Sequence, residues 1–283
     1  MFEVRQLEKT HIQSAVALCT QANWNHCVAD WERLLEFNPA FCLGGFVKNE
    51  LAATCTLIRF GPVGWIGTFL VLDSLRGKGH GKTMFNALLE KAAQEKIATL
   101  AIDSSDAGRP IYQKSGFVMT RQGNELWSGM CVGDEDPSTL CLEPGHWPGI
   151  LSFDAKHTAV DRGFQLQRLG NEPGASGRVI LENNQIVAFG LSRPGRMAGS
   201  IGPVVARDFS SAKKIINALV ADRQRMDPGK GVALAVLDNP EIKQWLAEKG
   251  LQMRRRNVRM FLPAEVPVLA GPMVFVSTGL GMG

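Results

Sequence analysis

Between residues 11 and 21 the apolar positions Ile12, Ala15, Val16 and Cys19 recur at the spacing of three and four that gathers them on one helical face. The same periodicity returns at 81–94, where Met84, Phe85, Leu88 and Leu89 form the stripe. A shorter helix is predicted over 31–37, stopped ahead of Asn38-Pro39 because the residue before a proline is pushed out of helical geometry. Elsewhere the apolar runs are short and bounded by turn residues. Strands are predicted at 4–7, 41–47, 51–59, 65–72 and 97–102, with turns at Lys48-Asn49-Glu50 and Gly61-Pro62. A short helix at 110–114 and a closing pair of strands at 117–121 and 126–130 complete the first half.

The pattern breaks at Asp134-Glu135-Asp136-Pro137, and Pro144-Gly145 and Pro148-Gly149 extend the break, so this stretch reads as a linker. Beyond it the first half returns in outline. Asn217-Ala218-Leu219 repeats Asn86-Ala87-Leu88 at an offset of 131, and Trp245 to Leu251 echoes the segment around Tyr112 at an offset of 134, with Gly250 opposite Gly116. A duplicated fold is the simplest account. Residues 1–133 and 134–283 are expected to be its two copies, a size that suits two ordinary domains.

The apolar fraction of 45% is enough to fill two cores, and a net charge of +4 suits an anionic ligand without demanding nucleic acid. The charged N-terminus lacks the apolar stretch of a signal peptide, and no run of about 18 apolar residues is present, so a cytoplasmic protein without membrane contact is expected. The six cysteines show neither C-x-x-C pairs nor ligand spacing and read as small buried hydrophobes; no metal is expected. The basic run Arg254-Arg255-Arg256, with Arg259 beyond it, reads as the solvated face of a strand rather than a nucleic-acid patch.

Candidate chemistry lies in the first half. Arg76-Gly77-Lys78-Gly79-His80-Gly81 follows an apolar strand and leads into an amphipathic helix, and the first backbone N–H groups of a helix have no partner inside it. Such a turn holds anions, pyrophosphate among them. A Walker loop needs a glycine where Arg76 stands, and no G-x-G-x-x-G window is present, so nucleotide hydrolysis and dinucleotide binding are both disfavoured. Tyr112, the chain's one tyrosine, follows the next strand; its phenol can donate a proton to a leaving group, with a packed ring as the alternative. His80 reads as turn filler, and Lys78 and Lys82 serve equally well as anion contacts or as a solvated helix start.

In these residues the chain resembles the GNAT superfamily of N-acetyltransferases. Arg76, Gly79 and Gly81 match its acyl-CoA motif Q/R-x-x-G-x-G/A, and Tyr112, Lys114, Gly116 and Phe117 match A-x-x-L-Y-x-K-x-G-F, with Gly108 in place of the alanine and Ile111 in place of the leucine. The resemblance implies an α/β (α+β) fold of two GNAT-like domains, each a mixed, mostly antiparallel sheet flanked by helices. It implies acetyl-CoA as co-substrate, held by N–H groups of Gly77, Lys78, Gly79, His80, Gly81 and Lys82, with Arg76 adding charge. A backbone N–H near Leu70 or Val71 would polarise the thioester carbonyl, and Tyr112 would protonate the thiolate. Ser105 stands where many relatives carry an asparagine that contacts CoA. Trp24 and Asn25, between the first two helices, are candidates for framing the amine of a small molecule or peptide. The general base is unassigned, because the strand before the turn carries no carboxylate before Asp73, itself a turn residue.

In the second half Ser210 and Ala212 replace Gly79 and Gly81, and Leu246 replaces Tyr112, so that copy is expected to be degenerate. The alternative to an enzyme is an acyl-CoA sensor that keeps the phosphate site without turnover. Self-association is left open.

Overall fold

The computed structural model describes all 283 residues, which divide into two compact units. The first comprises Met1–Thr120 together with Arg259–Glu265 and Met282; the second takes Arg121–Val258, Val266–Gly281 and Gly283.

In the first unit, strands β1 (Phe2–Gln6), β2 (Leu43–Val47), β3 (Glu50–Phe60) and β4 (Val63–Val71) are antiparallel neighbours, and β5 (Thr99–Ser104) runs parallel to β4. Helices α1 (Ile12–Gln21) and α2 (Val28–Phe37) separate β1 from β2, α3 (His80–Gln94) separates β4 from β5, and α4 (Arg109–Lys114) follows β5. Alternation along β3 decides what each helix covers. Ala53, Cys55 and Leu57 join Met84, Phe85 and Leu88 of α3 in one core, while Thr54, Thr56 and Ile58 point to the opposite face. Helix α2 begins a turn earlier than its apolar stripe suggests, because Asp30 accepts the Cys27 N–H at 2.8 Å and closes the first turn.

The feature that shapes the site is a bulge in β4. Thr56 pairs with Gly67 but Thr54 pairs with Leu70, so β4 carries one residue more than β3 across this step. Thr68 takes φ +42°, a conformation costly for a β-branched residue. Buried hydroxyls hold it there: Thr54 Oγ1 donates to the Thr68 carbonyl at 2.7 Å, and the Thr56 and Thr68 hydroxyls lie 2.6 Å apart. The parallel ladder between β4 and β5 ends at Ile66 and Ile102, immediately before the bulge. From there β4 continues without β5 and the two strands part.

In the second unit, β6 (Val118–Gly129) is one strand where two were expected. Gly123 does not turn the chain; a Cβ there would lie 3.0 Å from the Asn257 carbonyl, so the glycine allows two backbones to approach. After β7 (Leu140–Cys141), helices α5 (Trp147–Thr158) and α6 (Gly163–Gly170) precede the antiparallel β8 (Ser176–Glu182), β9 (Gln185–Arg193) and β10 (Gly199–Ala206). Helix α7 (Phe209–Met226), β11 (Val232–Leu237), α8 (Pro240–Glu248), β12 (Gln252–Leu262), whose residues from Arg259 onward belong to the first unit, and β13 (Val274–Val276) follow. Pro148 and Gly149 lie in the first turn of α5 rather than in a linker, since proline at the start of a helix loses no hydrogen bond.

The two units share their closing turns. Gly116 and Gly250 both adopt positive φ, at +90° and +87°. Phe117 N–H donates to the Tyr112 carbonyl at 3.1 Å, and Leu251 N–H to the Leu246 carbonyl at 3.0 Å. No helix is long and apolar enough to cross a membrane.

Candidate active site

The glycine-rich turn is held from below by its own side chains. Arg76 Nε donates to the Val71 carbonyl at 3.1 Å and its guanidinium pairs with Asp73 at 2.7 Å, while Lys78 Nζ donates to the Ser74 carbonyl at 3.0 Å. Gly77 and Gly79 take φ of +74° and +85°, and Gly79 is the N-cap of α3. An added Cβ at either meets nothing within 4 Å, so these glycines are required by conformation rather than by crowding within the chain. The consequence is a run of six amides, Gly77 to Lys82, whose N–H groups donate to no acceptor in the protein; the first bond on leaving the turn is Thr83 N–H to the Gly79 carbonyl. They meet the positive end of α3, equivalent to roughly half a charge. Such a run of unpaired amides at a helix start is able to hold a bulky anion.

His80, expected as turn filler, is half-buried and stacked on Phe2 with ring centroids 4.3 Å apart. A Cβ on Gly81 would lie 3.3 Å from Ile111, 3.6 Å from Phe69 and 3.7 Å from Val71. The start of α3, the end of β4 and α4 therefore converge at this glycine. Backbone alternation separates Leu70 from Val71. Leu72 N–H donates to Ala52 on β3 at 2.9 Å, so Leu70 also faces β3 and the Val71 N–H faces the side that β5 has left.

Tyr112 lies beside this convergence, buried at 4% exposure among Phe69, Phe85 and Phe117, with ring centroids at 6.0, 5.0 and 6.1 Å. Burial pushes its phenol well above the ordinary value. No group of the chain hydrogen-bonds its hydroxyl. Gly108, one turn earlier, has ordinary helical φ, yet a Cβ there would lie 2.9 Å from the tyrosine ring and 3.0 Å from its hydroxyl. The glycine makes room for Tyr112. Ser105 closes the turn that leads into the same helix, its Oγ accepting the Gly108 N–H at 3.3 Å and its carbonyl the Arg109 N–H at 3.0 Å.

Trp24 and Asn25 sit half-buried in the loop between α1 and α2, with the Trp24 ring 5.5 Å from His26; neither bonds to Tyr112 or to the turn. The sequence reading noted Gly108 only as a departure from the family pattern, and it missed Thr68 and the buried Asp103. The alternating Thr54 and Thr56 in an otherwise apolar strand were the signal available for the bulge. Asp103 on β5 accepts from Arg259 Nε at 2.9 Å and from Nη2 at 3.2 Å, both side chains fully buried, and the guanidinium lies 4.6 Å from the Trp65 ring centre. Arg259 is thus no part of a solvated face. Arg254 and Arg256 remain exposed. Cys141 also departs from expectation, exposed on a short strand, whereas Cys19, Cys42 and Cys55 are buried and Cys27 and Cys131 partly so.

The second unit differs at each equivalent point. The first turn of α7 is capped by Asp208, whose carboxylate accepts the Ser211 N–H at 2.8 Å. An acid occupies one of the donors an anion would need. Leu246, opposite Tyr112, is a buried hydrocarbon.

A bulged strand, a parted parallel neighbour and a helix start with undonated amides form the frame of this α/β protein, and comparison with known proteins places it among acyl-transferring enzymes. The model of the acetyltransferase (GNAT) family matches residues 9–117, and that of an acetyltransferase (GNAT) domain matches residues 150–270. The chain belongs to the GNAT acetyltransferases, with one domain of the family in each half. It is 24% identical over 231 residues to the uncharacterised N-acetyltransferase YitH of Bacillus subtilis (strain 168), covering 78% of this chain and 79% of that protein. A putative acetyltransferase from Pyrococcus horikoshii superposes with a TM-score of 0.83 at 21% identity, over 100% of this chain and 96% of that one. A tandem GNAT protein from the clavulanic acid biosynthesis pathway superposes at 0.68 with 15% identity, over 94% and 100% of the two chains.

Proposed function

We propose that the protein transfers the acetyl group of acetyl-CoA to a primary amine of a small molecule or peptide, by direct attack in a ternary complex, with residues 1–133 catalytic and 134–283 degenerate. The observation that carries this reading is the run of six undonated amides at the start of α3, beside the free edge of β4. In this reading the amides of Gly77 to Lys82 hold the pyrophosphate and the Val71 N–H polarises the thioester carbonyl, as an oxyanion-hole donor does. Trp24 and Asn25 frame the amine. Its nitrogen attacks the carbonyl carbon, the C–S bond breaks, and the thiolate takes the Tyr112 proton while the new ammonium loses one.

The raised pKa of Tyr112 keeps that proton in place throughout the working pH range. It also makes release to a thiolate of pKa about 8.5 uphill, so the proton lost by the ammonium must return to the phenolate within the same step. Two observations favour the alternative of an acyl-CoA sensor: no carboxylate on β4 is placed to take that proton, and the Tyr112 hydroxyl has no partner in the chain.

Titration calorimetry should find one acetyl-CoA site per chain; two equivalent sites would refute the assignment of one active half. With an amine identified by thiol release, Tyr112→Phe should lower turnover about a hundredfold and leave acetyl-CoA affinity within about twofold. Unchanged turnover would remove Tyr112 from the mechanism. Binding without thiol release from any amine would establish the sensor.

A further inference from the structure

The second unit repeats the parting of strands and then fills it. Strands β10 and β11 pair in parallel only over Gly199–Ile201 and Val232–Leu234. The ladder with β9 shifts between Ile201 and Val204, as the ladder of β4 shifts at its bulge. Into the gap runs β13, antiparallel to both neighbours: Val276 pairs with Val204 on one side and with Val236 on the other, and Val274 pairs with Val205. All three residues of β13 are buried.

The segment that follows is held by buried polar groups. Ser277 N–H donates to the Ala235 carbonyl at 2.8 Å, and its hydroxyl accepts from Asn124 Nδ2 at 3.0 Å. Thr278 is bonded by two buried arginines, its hydroxyl by Arg162 Nη1 at 2.8 Å and its carbonyl by Arg193 Nη2 at 3.1 Å. Arg162 is itself fixed by both carboxylate oxygens of Asp154, at 2.9 and 2.8 Å. At Gly202, φ +146°, an added Cβ would come within 2.2 Å of the Ser277 carbonyl, so β10 is shaped to admit this backbone. Buried charges are costly unless bonded on every side, and here part of the bonding comes from the segment received.

We infer that the cleft of the second unit is a strand-binding site. Its ligand class is an extended apolar peptide ending in two hydroxyl residues, and its resident is the chain's own Val274 to Thr278. Main-chain pairing on both edges supplies affinity, Arg162 reads the Thr278 hydroxyl and Arg193 holds its carbonyl, the logic of strand addition to an open sheet. The copy that lost its anion site to Asp208 has therefore kept the parted strands and put polypeptide between them. This holds whether or not the first unit transfers acetyl groups.

The test uses the full chain with a protease site inserted between the exposed Ala264 and Glu265. After cleavage the fragment should remain bound through gel filtration, and a labelled peptide of residues 266–283 should exchange with it. The peptide carrying Thr278→Val leaves Arg162 Nη1 without its acceptor and should compete at least tenfold more weakly. In the uncleaved protein the same substitution should speed hydrogen exchange of the Val276 and Ser277 amides at least tenfold while those of α7 keep their protection. A fragment lost on cleavage from an otherwise folded protein, equal competition by the two peptides, or unchanged exchange at Val276 and Ser277 would overturn the inference.

Discussion

Replacing Arg259 by methionine should destabilise the first unit severely, although the residue lies more than 130 positions beyond the end of that unit's main segment at Thr120. The substitution keeps an unbranched apolar stem and removes the guanidinium, leaving Asp103 fully buried without its bidentate partner. Breaking a buried pair from one side costs about 3–5 kcal/mol, and the lost contact with the Trp65 face lies within that range rather than adding to it. Against a total of about 5–15 kcal/mol for a domain, this is a large fraction. At about 3 °C per kcal/mol it corresponds to a fall of about 9–15 °C in the melting of the unit. The control is Arg259→Met with Asp103→Leu, which removes both charges and should recover most of the loss, since an apolar substitute for a buried pair is often neutral or better. Thermal denaturation of the two variants and the parent, followed by circular dichroism and by retention of acetyl-CoA, decides the matter. A single variant within 2 °C of the parent, or a double variant no better than the single, would refute the argument. The same reasoning predicts that a fragment of residues 1–133 folds poorly alone, since it also loses the buried Met260 and Phe261.

Gly79→Val is expected to cost about 1–3 kcal/mol through its positive φ alone and to weaken acetyl-CoA binding at least tenfold by tilting the amides; a melting curve and a titration on the same sample separate the two effects. Gly108→Ala should displace the Tyr112 ring, lowering turnover while leaving the cofactor constant nearly unchanged, and normal turnover would show that the clearance is not needed. The folded-state pKa of Tyr112 is raised, so its contribution to stability is complete below the unfolded value of about 10 and is lost as pH rises beyond it. Melting temperatures of the parent should accordingly fall above about pH 10 more steeply than those of Tyr112→Phe. Burial pushes the Cys42 thiol up to about 12, so at pH 8 iodoacetamide should label the exposed Cys141 quickly and Cys42 only on unfolding, as peptide mass analysis would show.

The sequence spoke most clearly where local chemistry decides the conformation. Helix α3 was placed within one residue because a left-handed glycine begins it and an apolar stripe sustains it. The duplication was legible in the Gly116 and Gly250 turns, which need the same positive φ. What stayed hidden depends on partners far away in the chain. Nothing in Val258-Arg259-Met260-Phe261 distinguishes an arginine facing water from one buried against Asp103, since both are strand residues at alternate positions. The bulge at Thr68 is a matter of register between two strands, invisible within β4 alone. Likewise Gly108 departs from the family pattern by one methyl group, and only the position of Tyr112 gives that absence a reason.

The inclusion of residues 259–265 in the first unit has a consequence for how the protein is made. A ribosome adds about 5–20 residues per second, so roughly 7–28 s pass between the synthesis of Thr120 and that of Arg259. Through that interval the nascent unit lacks the arginine that Asp103 bonds in the finished protein and has an unfinished sheet edge, the kind of surface that chaperones bind. Activity is therefore expected only after residue 259 has been made. Premature stop codons anywhere before residue 259 should yield inactive protein even when every residue of the glycine turn and Tyr112 is present.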